Sequence, residues 1–357
     1  MSHDDRKAHF QRELMSLTAL NGVSGHEQDV VQYLRKTMEP LADHVEVDAM
    51  GNLYAVRRGG DGPHLMVSAH SDEIGALVSA VEPDGFVRFE PVGGISEAML
   101  IGRKVRVRGH RGVIGVRPGH LQSAQEARTA PEMRDLYLDL GLTSEEEVMA
   151  LGIRIGDGIT WQSELEPTAN PDRLVGKAVD NRVGCLIVLE LLRAIQGEAL
   201  PGTLTAAVAV QEEVGLKGAR VVAERVKPDI ALVVDTVPCA DTPDSRHVHT
   251  FPVEIGRGPV LQVSSGPRAS GYLMPEAIRD YLVRLAEEEQ IPYQLAAFPF
   301  GNTDASAIYA TGVLTAVATI ARRYSHSPIE MLDLNDALAT LQLCRAVVRR
   351  VTEFPTS

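Results

Sequence analysis

The spacing of apolar and polar residues predicts helices alternating with strands over most of the chain. Apolar residues recur at helical intervals, or form long buried helical runs, in segments 4–20, 26–38, 183–195, 219–225, 275–289 and 334–348. Continuous apolar runs typical of buried strands lie at 65–69, 204–210, 230–234 and 313–320. This order predicts an α/β fold with a mainly parallel mixed sheet that is covered by helices on both faces.

The pattern changes between Ile74 and Trp161, where short alternating strands are separated by turn residues. Asp84-Gly85, for example, separates two apolar stretches and predicts a hairpin. We therefore expect a larger domain formed by residues 1–73 and 162–357, with a small β-rich domain, residues 74–161, inserted into it. Within the insertion, residues 117–134 hold few apolar side chains and predict a mobile loop.

Composition excludes several classes of protein. Hydrophobic residues make up 44% of the 357 positions, which is enough for a sizeable core and argues against disorder. The apolar runs fall short of the roughly 18 residues that span a bilayer, so we expect no membrane segment, and the first residues do not resemble a signal peptide. A net charge of −13 without a basic run argues against nucleic-acid binding.

The numbers of cysteine and aromatic residues exclude further kinds of site. The three cysteines, Cys185, Cys239 and Cys344, lie far apart and form no C-x-x-C pair, so we expect neither a disulfide framework nor a thiolate zinc site, and a reducing cytoplasmic location. Aromatic residues are 4% of the chain, with Trp161 as the single tryptophan, which argues against stacking of sugars or bases on aromatic side chains.

Histidines and carboxylates follow the apolar runs at the points where the strands are predicted to end. They are His70 and Asp72 after 65–69, Asp180 after 174–179, Glu212 and Glu213 after 204–210, Asp235 after 230–234 and, shortly after 313–320, His326. In open α/β sheets ligands bind beyond the carboxyl ends of the strands, so we expect these side chains to converge.

Such a set predicts a metal centre. Gathered carboxylates repel one another unless a cation lies among them, and nitrogen and oxygen ligands without sulfur suit Zn²⁺, Co²⁺ or Mn²⁺. A single ion needs only three protein ligands, so the surplus favours two ions roughly 3.5–4 Å apart that share one carboxylate. Asp72, two residues after His70 in extended backbone, points to the same side and is placed to orient the imidazole.

Each residue taken alone also has a simpler interpretation. Asp180 is placed to cap a helix, and His326 is compatible with a histidine in the core. His247 and His249 lie in a polar stretch and predict a solvated face, while Asp304 is a candidate for supporting the site from behind. The combination of residues, and no single one of them, indicates the metal centre.

Five tracts resemble those of the dinuclear-metal TET aminopeptidases, a family also labelled glutamyl aminopeptidase, deblocking aminopeptidase or cellulase M. The tracts are Ala69-His70-Ser71-Asp72-Glu73-Ile74-Gly75, Val179-Asp180-Asn181-Arg182, Gln211-Glu212-Glu213-Val214-Gly215-Leu216-Lys217-Gly218-Ala219, Gly301-Asn302-Thr303-Asp304-Ala305 and Arg323-Tyr324-Ser325-His326-Ser327-Pro328. The resemblance covers almost the whole chain in the same order, including the insertion.

The resemblance implies a metallo-aminopeptidase that hydrolyses N-terminal residues from short peptides, with two divalent ions per subunit. It implies one ion held by His70, Asp180 and Asp235, and a second held by Asp180, Glu213 and His326. Glu212 would be the general base and Asp72 the orienting carboxylate. It also implies dimers that assemble into a tetrahedral homododecamer, with the inserted domain supplying much of the subunit contact.

Alternatives from other classes remain open at this point. One is a related metallohydrolase that acts on N-acylated amino acids or blocked peptides. Another is an endoglucanase, as the cellulase label suggests, although the scarcity of aromatic residues argues against it. The third is a non-catalytic assembly or binding protein.

Overall fold

A computed structural model of the protein describes residues 3–245 and 250–355. Helices form where the sequence predicts them, and each buries its apolar stripe; α2, for example, buries Val30, Val31, Leu34 and Met38. The helices are α1 His3–Ala19, α2 Gln28–Met38, α3 Glu145–Ala150, α4 Val179–Ala194, α5 Lys217–Val226, α6 Glu276–Glu288, α7 Asp304–Tyr309 and α8 Leu334–Arg349.

Strands form one large mixed sheet and a separate small barrel. Those before the barrel are β1 His44–Val47, β2 Leu53–Arg57 and β3 Gly62–His70. Those of the barrel are β4 Gly75–Val81, β5 Val87–Val92, β6 Lys104–Val107, β7 His110–Gly115, β8 Tyr137–Asp139 and β9 Gly158–Trp161. Those that follow are β10 Glu166–Pro167, β11 Arg173–Gly176, β12 Gly202–Ala209, β13 Ile230–Pro238, β14 Val260–Ser265, β15 Tyr272–Leu273, β16 Gln294–Phe298, β17 Leu314–Arg323 and β18 Glu330–Asp333.

The centre of the large sheet is parallel. Its strands run in the order β1-β2-β12-β3-β13-β17-β18-β11-β10, and β12, β3, β13 and β17 pair in parallel. These strands carry fully buried side chains because helices cover them: α4 packs on β3 and β13, while α5 packs with α7 and contacts β12. The predicted α/β fold with a mainly parallel mixed sheet is confirmed.

The β-rich segment closes into a barrel in the order β4-β5-β8-β7-β6-β9. The hairpin predicted at Asp84-Gly85 is present as the antiparallel pair of β4 with β5, and β6 pairs with β7 in the same way. The barrel has a core of its own, which includes Val105, Ile114, Leu138, Ile159 and the fully buried Trp161. Separate cores for sheet and barrel indicate that the barrel packs as its own unit. Residues 117–134 contain short 3₁₀ turns, and their mobility stays a prediction.

Two strand predictions were wrong in ways that matter for the site. Residues 174–179 do not form one strand, because β11 ends at Gly176 and α4 begins at Val179. Asp180 therefore lies at the start of a helix, since an apolar run of this length does not distinguish a strand from a buried helical turn. The strand predicted at 313–320 continues to Arg323, so Arg322 belongs to β17.

A buried ion-pair network joins β3, α1 and α4 where the chain leaves the sheet for the barrel. Glu73 lies 2.9 Å from Lys177 Nζ and 3.3 Å from Arg182 Nη2, and accepts the backbone N–H of Gly22. Arg182 also donates to the carbonyl oxygens of Ser71 and Leu17.

Among the residues described, no helix is both long and apolar enough to cross a membrane.

Candidate metal centre

Three neighbouring strands deliver the first group of predicted side chains to one edge of the sheet. His70 is the last residue of β3 and pairs with Ala209 at the end of β12, so Glu212 and Glu213 follow close beside it. Asp235 lies on β13, the other parallel neighbour of β3. The carboxyl ends of parallel strands meet at one edge, which is why residues distant in the sequence become neighbours here.

Asp180 and His326 reach the same place by another route. Asp180 lies at the start of α4, in a non-helical conformation, and His326 follows β17. The backbone N–H groups of both residues donate to the side chain of Glu330, at 3.0 and 3.2 Å. Glu330, at the start of β18 and nearly fully buried, therefore holds these two side chains together.

The first cluster surrounds His70, which is 1% exposed. Its Nε2 atom lies 3.3 Å from Asp180 Oδ1, 3.4 Å from Asp235 Oδ1 and 4.0 Å from Glu212 Oε2. Ligand atoms of His70, Glu212 and Asp235 lie within 4.8 Å of one another, close enough to surround one ion.

The second cluster surrounds His326, whose Nε2 atom lies 3.5 Å from Glu213 Oε2 and 3.8 Å from Asp180 Oδ2. Ligand atoms of Asp180, Glu213 and His326 also lie within 4.8 Å of one another. Asp180 thus directs one oxygen to His70 and the other to His326. A carboxylate placed between two clusters in this way has the geometry of a bridging ligand.

Asp72 supports both clusters from behind. Its Oδ1 atom lies 3.3 Å from His70 Nδ1, on the ring edge opposite the carboxylates. It also accepts the backbone N–H groups of Glu212 and Glu213, at 3.0 and 3.1 Å, and the hydroxyl of Ser24 at 2.6 Å. One fully buried carboxylate therefore fixes the position of the imidazole and of the Glu212-Glu213 backbone.

The electrostatics of the site follow from burying these groups together. Burial raises the pKa of Glu212 well above its usual range, and the carboxylates of Asp235 and Asp304 raise it further, against the effect of His70. Burial raises the pKa of Glu213 too, and Asp180 adds to the shift. Each carboxyl group is therefore held toward its protonated form until positive charge is supplied.

The pKa shifts of Asp180 and His70 show how strong the negative charge at the site is. Burial would raise the pKa of Asp180, but the Arg322 guanidinium and His70 hold it below its usual range. Burial would lower the pKa of His70, yet Glu212 and Asp180 raise it well above that of a free histidine. The local excess of negative charge is thus large enough to favour any cation, including a proton on His70.

The donor set fits divalent metal ions. His70 Nδ1 and Asp180 Oδ1 are buried and make no hydrogen bond, although each has a charged partner nearby. Buried polar atoms without hydrogen bonds are uncommon, and a bound cation would give Asp180 Oδ1 a partner. Nitrogen and oxygen donors without sulfur suit Zn²⁺, Co²⁺ or Mn²⁺, and do not choose among them.

Sequence reasoning missed Arg322 and Glu330. Arg322 is 3% exposed, and its guanidinium lies 2.5 Å from both Asp180 Oδ2 and Glu330 Oε1. The basic residue within the apolar β17 run was the available signal, but the strand was expected to end at Ile320. Asp304, considered as a support, is 1% exposed, and burial together with Asp235 raises its pKa to about 8.

A third group of ionisable residues has metal-ligand spacing, but an arginine side chain lies among its members. His9, Glu13 and Glu190 lie within reach of a common point between α1 and α4. The guanidinium of Arg193 already lies among them, 2.5 Å from Glu190, 3.1 Å from Glu13 and 3.2 Å from His9. The protein itself therefore already places a positive charge between the two carboxylates of this cluster. His247 and His249 lie outside the described residues.

Comparison with known proteins places the chain among peptidases. The model of the M42 glutamyl aminopeptidase family matches residues 51–343. The chain is 30% identical to a glutamyl aminopeptidase of Lactococcus lactis, over 94% of this chain and 95% of that protein. It is 32% identical to a lysyl aminopeptidase of Pyrococcus furiosus, over 92% of this chain and 94% of that protein.

Several solved structures of other proteins are similar to this one along almost the whole chain. An aminopeptidase from Desulfurococcus kamchatkensis has a TM-score of 0.91 at 35% identity, covering 96% of this chain and 95% of that one. The TET1 peptidase of Pyrococcus horikoshii, which assembles into a tetrahedron or an octahedral shell, has a TM-score of 0.86 at 30% identity, covering 95% and 99%. A Thermotoga maritima structure named as an endoglucanase has a TM-score of 0.79 at 33% identity, covering 95% and 97%.

Metal analysis of the purified protein provides the test of the two-cluster geometry. We expect the wild type to bind two divalent ions per chain, one for each of the clusters around His70 and His326. His326→Ala removes the imidazole of one cluster, and because the side chain is 42% exposed its loss is tolerated by the fold. The variant should retain about one ion, measured by mass spectrometry after equilibration with Zn²⁺ or Co²⁺.

His9→Ala is the matched control, since it removes a histidine from the cluster in which Arg193 already lies between the carboxylates. It should leave metal content unchanged. Equal metal loss in the two variants, or an unchanged content in His326→Ala, would contradict the second cluster.

Proposed function

Because this chain belongs to the M42 glutamyl aminopeptidase family and hydrolyses peptide bonds at the N-termini of peptides, we propose that the centre around Asp180 carries out this reaction on short peptides. The observation that supports this most strongly is the bridging position of Asp180, between His70 at 3.3 Å and His326 at 3.8 Å. The remaining group of metal-ligand spacing within residues 3–245 and 250–355, His9, Glu13 and Glu190, shares no residue with either of these two clusters.

We assign the metal ligands by distance. His70, Asp180 and Asp235 form one set, because Asp180 and Asp235 approach His70 Nε2 more closely than Glu212 does. Asp180, Glu213 and His326 form the other. When bound, two divalent ions of the Zn²⁺, Co²⁺ or Mn²⁺ type would lower the pKa of a water molecule and polarise the scissile carbonyl.

Glu212 is left as the general base. It is 9% exposed, lines the same cavity as the ligands, and its Oε2 lies 4.0 Å from His70 Nε2. Its carboxylate accepts a proton from the attacking water and then passes it to the amine of the leaving peptide. Burial raises the pKa of Glu212, so its carboxylate accepts a proton more readily than that of an ordinary glutamate.

Asp72 has a positioning role in this scheme. By lying against His70 Nδ1 it holds the imidazole with Nε2 turned toward Asp180 and Asp235. Its hydrogen bonds to the backbone N–H groups of Glu212 and Glu213 keep base and ligand at a fixed spacing.

Two structural relatives assemble into large oligomers, and we propose that this protein is a homo-oligomer too, a tetrahedral dodecamer built from dimers. We also propose that the inserted domain, residues 74–161, supplies much of the contact between subunits. Exposed apolar side chains on it support this role, namely Met99, Ile101, Val113, Leu121 and Ile155. The free cysteines Cys185, Cys239 and Cys344 support a reducing, cytoplasmic location.

Hydrolysis of unblocked aminoacyl substrates tests the proposed activity. We expect the enzyme to release p-nitroaniline from aminoacyl-p-nitroanilides, to lose this activity with chelator, and to regain it when Zn²⁺, Co²⁺ or Mn²⁺ is added. The N-acetylated forms of the same substrates should be turned over far more slowly. Preference for the acetylated forms would instead support an acylamino-acid hydrolase, and reducing-sugar release from cellulose an endoglucanase.

Replacement of the base separates catalysis from metal binding. Glu212→Gln removes the proton acceptor while keeping side-chain volume, so kcat should fall by about 10²–10⁴-fold. Metal content should stay at the wild-type value, because Glu212 is not assigned as a ligand. Glu224→Gln, at an exposed ion pair with Arg220, is the control and should keep full activity. A Glu212→Gln enzyme with wild-type kcat would show that the base is another group.

The molecular mass of the protein, measured by light scattering as it elutes from a size-exclusion column, tests the proposed assembly. The dodecamer predicts a mass near twelve times the 38.6 kDa of one chain. A dimer would contradict the tetrahedral assembly, and a monomer would contradict any role of the barrel domain in subunit contact.

A further inference from the structure

The cavity that contains the centre has a second, apolar part. It has a volume of about 540 Å³ and is lined on one side by His70, Asp180, Glu212, Glu213, Asp235 and His326. Apolar side chains line the remainder, namely Leu216, Pro238, Phe298 and Phe300. A peptide whose first bond lies at the ions must therefore place neighbouring atoms against this apolar wall.

The aromatic part of the wall is held in place by packing. Phe298, at the end of β16, packs its ring 5.5 Å from that of Phe251, which is 3% exposed and part of a small apolar core. Phe300 packs edge-on against both, with centroid distances of 6.2 and 5.9 Å. Phe251 is thus the buried member of this cluster, while Phe300 remains 66% exposed.

Free charge is scarce along this wall. Among the described lining residues outside the two clusters, the one charged side chain is Arg322, which is buried and paired with Asp180 and Glu330. The other polar lining residues, such as Asn302 and Thr303, are uncharged. An acidic or basic substrate side chain would lose water here without gaining a partner of opposite charge, whereas an apolar side chain would gain contact area.

We propose that Phe298 and Phe300 bind the side chain of the substrate's N-terminal residue, and that the enzyme prefers large apolar N-terminal residues over acidic or basic ones. This inference rests on the proposed function, since it assumes an aminopeptidase centre in the same cavity. The N-terminal residue has nothing before it, so its side chain and ammonium group both stay inside the cavity, whereas the residues after the cleaved bond leave it.

Basic residues are the strongest competitor to this preference. A lysine ammonium could rest on the face of Phe300 as a cation–π contact, although such contacts are weak at exposed rings. Divalent ions bound in the same cavity would repel a second ammonium. We therefore place lysine below phenylalanine and leucine.

A panel of aminoacyl-p-nitroanilides carrying phenylalanine, leucine, alanine, glutamate or lysine tests the preference. With the metal-loaded enzyme we expect kcat/KM for phenylalanine and leucine to exceed that for glutamate and lysine by about tenfold or more, mainly through KM, as for differences in apolar pocket contact. Phe300→Ala should reduce the ratio of phenylalanine to alanine turnover by about tenfold. Since Phe300 is largely exposed, this change does not threaten folding.

Two further variants make the test specific. Leu295→Ala removes an exposed apolar side chain from β16, on the side of the strand opposite Phe298, and should keep the wild-type ratio. Phe300→Glu places a carboxylate on the wall and should shift preference toward lysine. Dipeptides of the forms X-Ala and Ala-X separate the two positions, and the preference should follow X only when it is N-terminal.

The outcomes are distinguishable from failure of the proposed function. Best turnover of glutamate or lysine substrates, an unchanged ratio in Phe300→Ala, or a preference that follows the second residue would overturn this inference and leave the aminopeptidase intact. Inactivity toward every unblocked substrate under all metal conditions would overturn both.

Discussion

The constraint on which the structure depends is the burial of mutually repelling carboxylates at one edge of the sheet. Asp180, Glu212, Glu213 and Asp235 are nearly or largely withdrawn from water, each within 4.0 Å of His70 or His326. Isolated buried charge is costly, and like charges add to that cost. A folded chain with this arrangement must therefore supply positive charge, hydrogen-bond donors and rigid backbone around it, and most features near the centre do one of these.

The surroundings meet this requirement in distinct ways. Arg322 places its guanidinium between Asp180 and Glu330, so two buried carboxylates share one permanent positive charge. Asp72 is stabilised as an anion by backbone N–H groups and the Ser24 hydroxyl. On the far side, Glu73 pairs with Lys177 and Arg182, which ties β3 to α4 just beyond the ligands. These groups offset only part of the negative charge of the buried carboxylates, and bound metal ions would offset the rest.

A site residue could be predicted from the sequence where it directly follows an apolar run that forms a strand. His70, Glu212 and Asp235 follow long apolar runs that became parallel strands, so their convergence follows from sheet geometry alone. Asp180 was assigned to a strand end and instead begins α4, because burial on all sides makes a helix and a strand look alike in sequence. Glu330 carries no local signal, since its role exists only through backbone groups that folding brings to it.

The two parts of the cavity are built under different physical conditions. The ligand residues lie on or next to central strands and an internal helix, where any change of volume or charge disturbs a packed interior. The aromatic wall lies at the end of β16 and in the loop that follows, outside the parallel strands, and Phe300 is largely exposed. Substitution there costs the fold little. The chemistry of hydrolysis is thus fixed by the core, whereas the choice of N-terminal side chain is set by residues that can change without disturbing it.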